Sequence, residues 1–253
     1  MPRYAAEIGY EGAKFYGRQT QAGFVTVQES IEQALTKINK NRYVPVAGAG
    51  RTDSGVHAKG QVCSFDMDKD WDPFRLRLAL NANLPQGVYS VKLVKTDKDF
   101  HARFSAVSRE YVYFIWQDTS IYPHLEPVCC WIKSRGRDWS RASEACRYLV
   151  GVHNFRNFCR KDNIPENPVR ELFRVSMRQR GSLIRLHISG SGFLTNMVRI
   201  ILGDLELIAK GQREPEWINR LFDPNHDRED SGRTFPPEGL FLWKINYAKE
   251  LWK

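Results

Sequence analysis

Between two short apolar runs, Tyr43 to Val46 and Val62 to Phe65, the chain carries Gly48-Ala49-Gly50-Arg51-Thr52-Asp53-Ser54-Gly55-Val56-His57-Ala58. Four small residues (Gly48, Ala49, Gly50 and Gly55) bracket a carboxylate that has an arginine on one side and a histidine on the other. Glycine lets a backbone turn sharply or pass close to another group, so the stretch reads as a loop that presents Asp53. Aspartate and glycine are also the ordinary residues of a tight surface turn, where their role is purely local. The loop taken alone fits both readings.

Its surroundings alternate strand and helix patterns. Pro2 to Tyr10 reads as a first strand, closed by Glu11-Gly12. Thr26-Val27-Gln28-Glu29 is a capping-box signal, and behind it Val27, Ile31, Leu35 and Ile38 share one face of a helix that packs on a sheet. After the Asp53 loop, Val62 to Met67 is a strand. Asp72-Pro73 then supplies a cap and a first-turn proline for a helix over Phe74 to Ala82, although that segment also alternates. Asn83 to Gly87 breaks the chain before a strand from Val88 to Val94, and Phe100-His101-Ala102-Arg103-Phe104 marks a join between two halves.

The second half restates the pattern. Glu110 to Trp116 is a strand, and Asp138 caps a helix with Ala142, Ala145, Cys146 and Leu149 inward and Gly151 at its end. Leu172 to Met177 and Leu183 to Ser189 form a hairpin around Arg180-Gly181. A last helix runs from Thr195 to Lys210, with Met197, Ile201, Leu205 and Ile208 on one face and Gly211 closing it. A charged, proline-rich loop over 223–238 leads to a final strand, Gly239 to Tyr247. The expected architecture is α+β: an N-terminal domain over 1–104 carrying the Asp53 loop, a C-terminal domain over 105–253, and a cleft where they meet.

Composition narrows the function classes. At 253 residues and 42% hydrophobic content the chain can bury a substantial core, and no apolar run approaches the ~20 residues of a membrane span. The alternating start lacks a signal peptide's apolar core, so a soluble cytoplasmic protein is expected. A net charge of +9 points to a polyanionic partner, because lysine or arginine placed on phosphate releases condensed counterions. The five cysteines (Cys63, Cys129, Cys130, Cys146, Cys159) read as reduced, buried, small hydrophobes. Zinc-type spacings are missing around Cys159, His153 and His124, so no metal site is expected.

Three chemistries compete for Asp53. An aspartic protease is prompted by a second Asp-Ser-Gly triplet at Asp230-Ser231-Gly232. That triplet lies in a solvated charge run, and Arg51 would hold Asp53 ionised where a protease pair must share a proton. A non-catalytic RNA-binding module would explain the charge and the aromatic residues, but gives an acidic residue between basic neighbours no task. The third is a carboxylate nucleophile acting on a nucleotide, kept ionised and oriented by basic groups.

The third reading is met by a resemblance. Gly50 to Ala58 resembles the catalytic motif of the TruA family of tRNA pseudouridine synthases. Tyr10-Glu11-Gly12 with Tyr16-Gly17-Arg18-Gln19, Thr26 to Glu29, Asn81 to Pro85, Phe100 to Arg103, Arg109-Glu110-Tyr111, Phe193 to Arg199 and Pro237 to Leu240 resemble further family blocks in the same order. Arg18 departs from the tryptophan usual there, and Glu11 replaces a commoner aspartate. The resemblance implies the pseudouridine synthase fold, with a mixed, mainly antiparallel sheet and a central catalytic cleft. It also implies isomerisation of uridine to pseudouridine at positions 38, 39 and 40 in the anticodon stem-loop of tRNA, without a metal or other cofactor. Asp53 would be the nucleophile and Arg199 its basic partner. Tyr111 would stack on the target base, Arg51 would contact RNA, and Leu240 would supply apolar contact beside the base. A homodimer is implied, with one tRNA touching both subunits and basic residues between Arg156 and Arg185 as candidate contacts.

Overall fold

The computed structural model of the chain describes residues 1–134 and 136–252. The chain divides into two compact units, one of Met1–Arg109 with Phe241–Lys253 and one of Glu110–Leu240. The first of these units is discontinuous and takes back the end of the chain.

In the first unit the strand order is β4-β1-β3-β10, from β1 (Arg3–Tyr10), β3 (His57–Asp66), β4 (Val88–Thr96) and β10 (Leu240–Tyr247). β1 runs antiparallel to both β3 and β4, while β10 runs parallel to β3, with Phe241 opposite His57 and Leu242 opposite Ala58. A two-residue strand, β2 (Ala47–Gly48), pairs with the other end of β3. Helix α1 (Val27–Ile38) starts at Thr26, whose hydroxyl accepts the Glu29 amide at 3.3 Å, and buries Val27, Ile31, Ala34 and Leu35. Helix α2 (Pro73–Asn83) starts at Asp72, which accepts the Arg75 amide, and buries Leu76 and Leu80. A satisfied first-turn amide opens each helix and an apolar stripe seats α1, whereas α2 buries only Leu76 and Leu80 and leaves Phe74 and Leu78 exposed.

β3 begins earlier than the apolar run that announced it. Lys59 and Gly60 interrupt its alternation, but Trp243 explains both: the Lys59 ammonium sits 4.2 Å from the indole centroid, and a Cβ at Gly60 would crowd the Trp243 carbonyl. The closing strand is held further by Tyr247, whose hydroxyl donates to Ala102 O at 2.8 Å and whose ring packs against Phe100.

The chain enters the second unit inside β5 (Ala106–Gln117) and leaves it inside β10. There the strand order is β5-β9-β8-β7, from β7 (Gly151–Asn154), β8 (Val169–Arg180) and β9 (Leu183–Gly190), with β6 (Cys130–Ile132) parallel to β5. β8 and β9 are the expected hairpin, paired from Arg180–Leu183 to Leu172–Gly190. Helix α3 (Trp139–Ala145) continues as a 3₁₀ turn to Leu149, and Gly151 does not cap it: at φ +112° it opens β7. A four-residue helix, α5 (Trp217–Arg220), falls where no helix was expected.

Helix α4 (Met197–Ala209) buries the anticipated face and most of its other faces as well, including Asp204 and Glu206. Such burial needs compensation. Burial pushes the Glu206 carboxyl up, yet the Arg137 hydrogen bond and the Arg233 and Lys210 charges hold it below its ordinary range. Gly203 and Gly232 let the loop after α5 lie directly on α4, since a Cβ on either would overlap the other segment's backbone. All five cysteines are buried and free. Among the described residues no helix is long and apolar enough to cross a membrane.

Candidate active site

The Asp53 loop leaves the sheet where β2 ends. Ala49 still donates to Val62 O at 2.8 Å, but Gly50 has no strand opposite it. The Gln61 side chain takes the place of one. Its Oε1 accepts the Gly50 and Val62 amides at 3.3 and 3.1 Å, and its Nε2 donates to Gly50 O at 2.9 Å. Gln61 is fully buried, so these are bonds without competition from water. Two residues on, the Thr52 hydroxyl shares a 2.7 Å hydrogen bond with the Tyr10 hydroxyl, and Thr52 O accepts the Arg18 amide at 3.2 Å. Arg109, at the start of β5, donates to Ala49 O at 3.4 Å.

The loop then closes as a turn. Val56 N donates to Asp53 O at 3.2 Å and Gly55 takes φ +80° at the third position, the conformation a type II turn requires. His57 follows, 2% exposed, with Nδ1 accepting the Gly12 amide at 3.2 Å and its ring stacked 4.7 Å from Phe241. It braces the turn against two other segments. The outcome is an exposed Arg51 and a half-buried Asp53 on a backbone fixed from β1, β3, β5 and the segment around Arg18. Arg51 and Asp53 thus share one anchored loop in the first unit.

The remaining expected residues lie in the second unit. Tyr111, on β5, is 7% exposed and meets Phe193 edge-on, with centroids 4.9 Å apart. Phe193 leads through Leu194 to Asn196, which takes a left-handed backbone at φ 63° and begins α4. Arg199, in the first turn of that helix, donates from Nη1 to Asn196 Oδ1 at 3.1 Å and from Nε to Phe235 O at 2.5 Å. Phe235 returns its own amide to Arg199 O at 3.0 Å. The segment from Phe235 is pinned again where Tyr113 donates to Pro236 O at 2.7 Å and Phe114 N donates to Gly239 O at 2.9 Å. Leu240 follows, 6% exposed, its amide on Pro237 O. Phe193 and the segment from Phe235 to Leu240 therefore link Tyr111, Arg199 and Leu240 within this unit.

Reasoning from sequence missed the supports. Gln61 and Tyr10 carry a signal only in hindsight, as polar side chains that a strand turns inward. The second Asp-Ser-Gly triplet has a packing role: Ser231 donates to Asn157 O, Gly232 donates to Asp204, and Asp230 accepts from His226 and Asp227. Nothing there resembles a proton-sharing carboxylate pair, and the protease alternative falls. Among the described residues no group of three His, Cys, Asp or Glu is arranged to hold a metal ion.

A family model described as tRNA pseudouridine synthase matches residues 6–105 and 145–248, which together are most of the chain. The chain belongs to the tRNA pseudouridine synthase family. Similar family members include the tRNA pseudouridine synthase A of Geobacillus kaustophilus, 40% identical over 243 residues that cover 96% of this chain and 93% of that protein. Those of Pseudothermotoga lettingae and Bacillus subtilis are each 38% identical, over 248 and 247 residues. They cover 98% and 97% of this chain and 100% and 99% of the relatives. Membership makes the chain an enzyme, an isomerase of uridine in tRNA, and removes the non-catalytic module as an alternative.

Proposed function

We propose that this enzyme converts uridine to pseudouridine at positions 38, 39 and 40 of the tRNA anticodon stem-loop, with Asp53 as the nucleophile. The carrying observation is the anchored loop: Gly50 and Thr52, on either side of Arg51, are tied to Gln61, Tyr10 and Arg18, immediately before a half-buried carboxylate. A nucleophile held in one geometry spends little free energy on reorganisation when the reaction begins. The isomerisation is redox-neutral. The bond from uracil N1 to the ribose breaks, a bond from C5 to the same sugar carbon forms, C5 loses a proton and N1 gains one.

In this reading the exposed Arg51 contacts RNA and helps to hold the displaced nucleotide. Tyr111 offers an aromatic face to the target base, Leu240 adds apolar contact beside it, and Arg199 is the basic partner of the catalytic carboxylate. The working form is a cytoplasmic homodimer in which one tRNA touches both subunits.

The test pairs activity with binding. Asp53→Asn is expected to abolish pseudouridine formation, read by chemical labelling of tRNA, while tRNA affinity stays within a few-fold. Tyr111→Phe keeps most of the activity and Tyr111→Ala loses about 100-fold or more, as removal of a stacking surface predicts. Turnover by Asp53→Asn would overturn the nucleophile, and equally mild effects at Tyr111 would make it a core residue only.

A further inference from the structure

Arg18 is 7% exposed, and its backbone is part of the Asp53 loop's support. Its amide donates to Thr52 O at 3.2 Å and its carbonyl accepts the Gln28 amide at 2.9 Å. The preceding residue, Gly17, lies so close to the loop that a Cβ there would be 3.1 Å from Thr52 O and 3.5 Å from the Asp53 carbonyl carbon. From this position the Arg18 side chain turns inward. Its guanidinium rests on Gly48, where a Cβ would overlap it, and its Nε and Nη1 are fully buried with no acceptor.

Several polar groups of this region bond one another. Gly50 O is taken by Gln61, the Tyr10 and Thr52 hydroxyls are bonded to each other, and Glu32 Oε1 receives Gln28 Nε2 and the Val46 amide. The charge is nonetheless felt by its neighbours. Burial pushes the Tyr10 hydroxyl up to about 12 and the Cys63 thiol up to about 11, and Arg18 opposes the rise in both.

A buried cation without an ion partner costs stability, and an apolar side chain of similar size would remove that cost. Packing therefore does not explain why arginine stands here. What an arginine adds is a positive charge in a low-dielectric interior, where its field is poorly screened and reaches further than a surface charge would. The part of the molecule with chemistry to perform that lies against this residue is the Asp53 loop.

We propose that Arg18 is a positioning residue of the isomerisation, its backbone and buried guanidinium holding the Asp53 loop in place and keeping a positive potential beneath it. The proposal rests on the reading of Asp53 as nucleophile. It separates charge from shape. Arg18→Met and Arg18→Gln remove the charge and keep much of the length. Arg18→Lys keeps a cation only while it stays protonated, and burial lowers an ammonium's pKa, so its rate is compared with the parent's at the acid end of a series from about pH 5 to 8.

Single-turnover rates on saturating tRNA, tRNA Kd and melting temperature are to be measured for all three, with Asp53→Asn alongside. The Met and Gln variants are expected to lose about tenfold or more in rate with Kd within about threefold, and Lys to stay within about threefold of the parent rate. Arg18→Met is expected to melt no lower than the parent. Parent-like rates in the Met and Gln variants would overturn the proposal. So would rate losses that follow a lowered melting temperature and do not distinguish Lys from Met. If Asp53→Asn turns over, the nucleophile reading has failed first; if it is inactive while the Arg18 series does not sort by charge, only the present inference fails.

Discussion

At Gln61 a single buried amide replaces the strand partner that Gly50 lacks, accepting two backbone amides and donating to one carbonyl. Gln61→Leu has nearly the same volume but would leave those three backbone groups buried and unpaired, at about 1–3 kcal/mol for each group that water cannot reach. The expected result is a lower melting temperature and a single-turnover rate reduced about tenfold or more, with a smaller loss of tRNA affinity, because Arg51 rides on the same loop while the rest of the RNA-facing surface is unchanged. Thermal melts and rates measured on the same preparation check it; an unchanged rate would mean that the loop does not need this anchor. Asp53 itself was legible in the sequence because glycines and flanking charges mark a presented carboxylate. Gln61 and Tyr10 were not, since which loop residue a strand side chain meets depends on a register that spacing does not encode.

Helix α4 and the loop laid across it work as a unit, with Arg199 holding Phe235 and Asp204 holding Gly232. Burial pushes the Asp204 carboxyl up to about 7, opposed by the Gly232 amide and by the Arg228 and Arg213 charges. In the unfolded chain the same group titrates near 4, so the folded state binds the proton more tightly. The stability this contributes is full below about pH 4 and is lost as pH rises through about 7. Asp204→Asn mimics the protonated form and keeps an acceptor for Gly232. Melting temperatures between pH 5 and 8 should therefore decline less steeply in the variant than in the parent, and parallel curves would show that Asp204 is not the group responsible. The 3.6-residue period announced this helix and one of its faces. It could not announce burial of the polar positions, which follows from cations and a glycine-bearing loop contributed by distant sequence.

The hairpin of β8 and β9 carries part of the basic surplus of the chain, which has a net charge of +9. Arg178 stands opposite Arg185 in register, Arg174 lies two steps along the same face beyond Ser176, and all three arginines are exposed. Like charges directly opposite each other on a sheet are destabilising, so an anion across the pair offsets the repulsion. If this face meets tRNA phosphates, the double variant Arg178→Glu with Arg185→Glu weakens tRNA binding about tenfold or more and lowers the slope of log Kd against log salt by about 1–2. Titrations at several salt concentrations check this, and an unchanged slope would place the RNA elsewhere.

What the sequence determined alone was local: strand and helix periods, caps at Thr26, Asp72 and Asp138, and the glycine-bracketed carboxylate, each written in residues a few positions apart. Family membership was legible too, because its motifs keep their order along the chain. The tertiary structure decided which strand joins which sheet. Alternation identifies β10 as a strand but is blind to its partner, and only pairing with β3, with Trp243 over Lys59 and Gly60, returns the end of the chain to the first unit. It also decided the environment of each charge. Nothing in the neighbours of Arg18 along the chain marks its guanidinium as buried; that depends on Gly48, Tyr10 and Cys63, which folding brings around it.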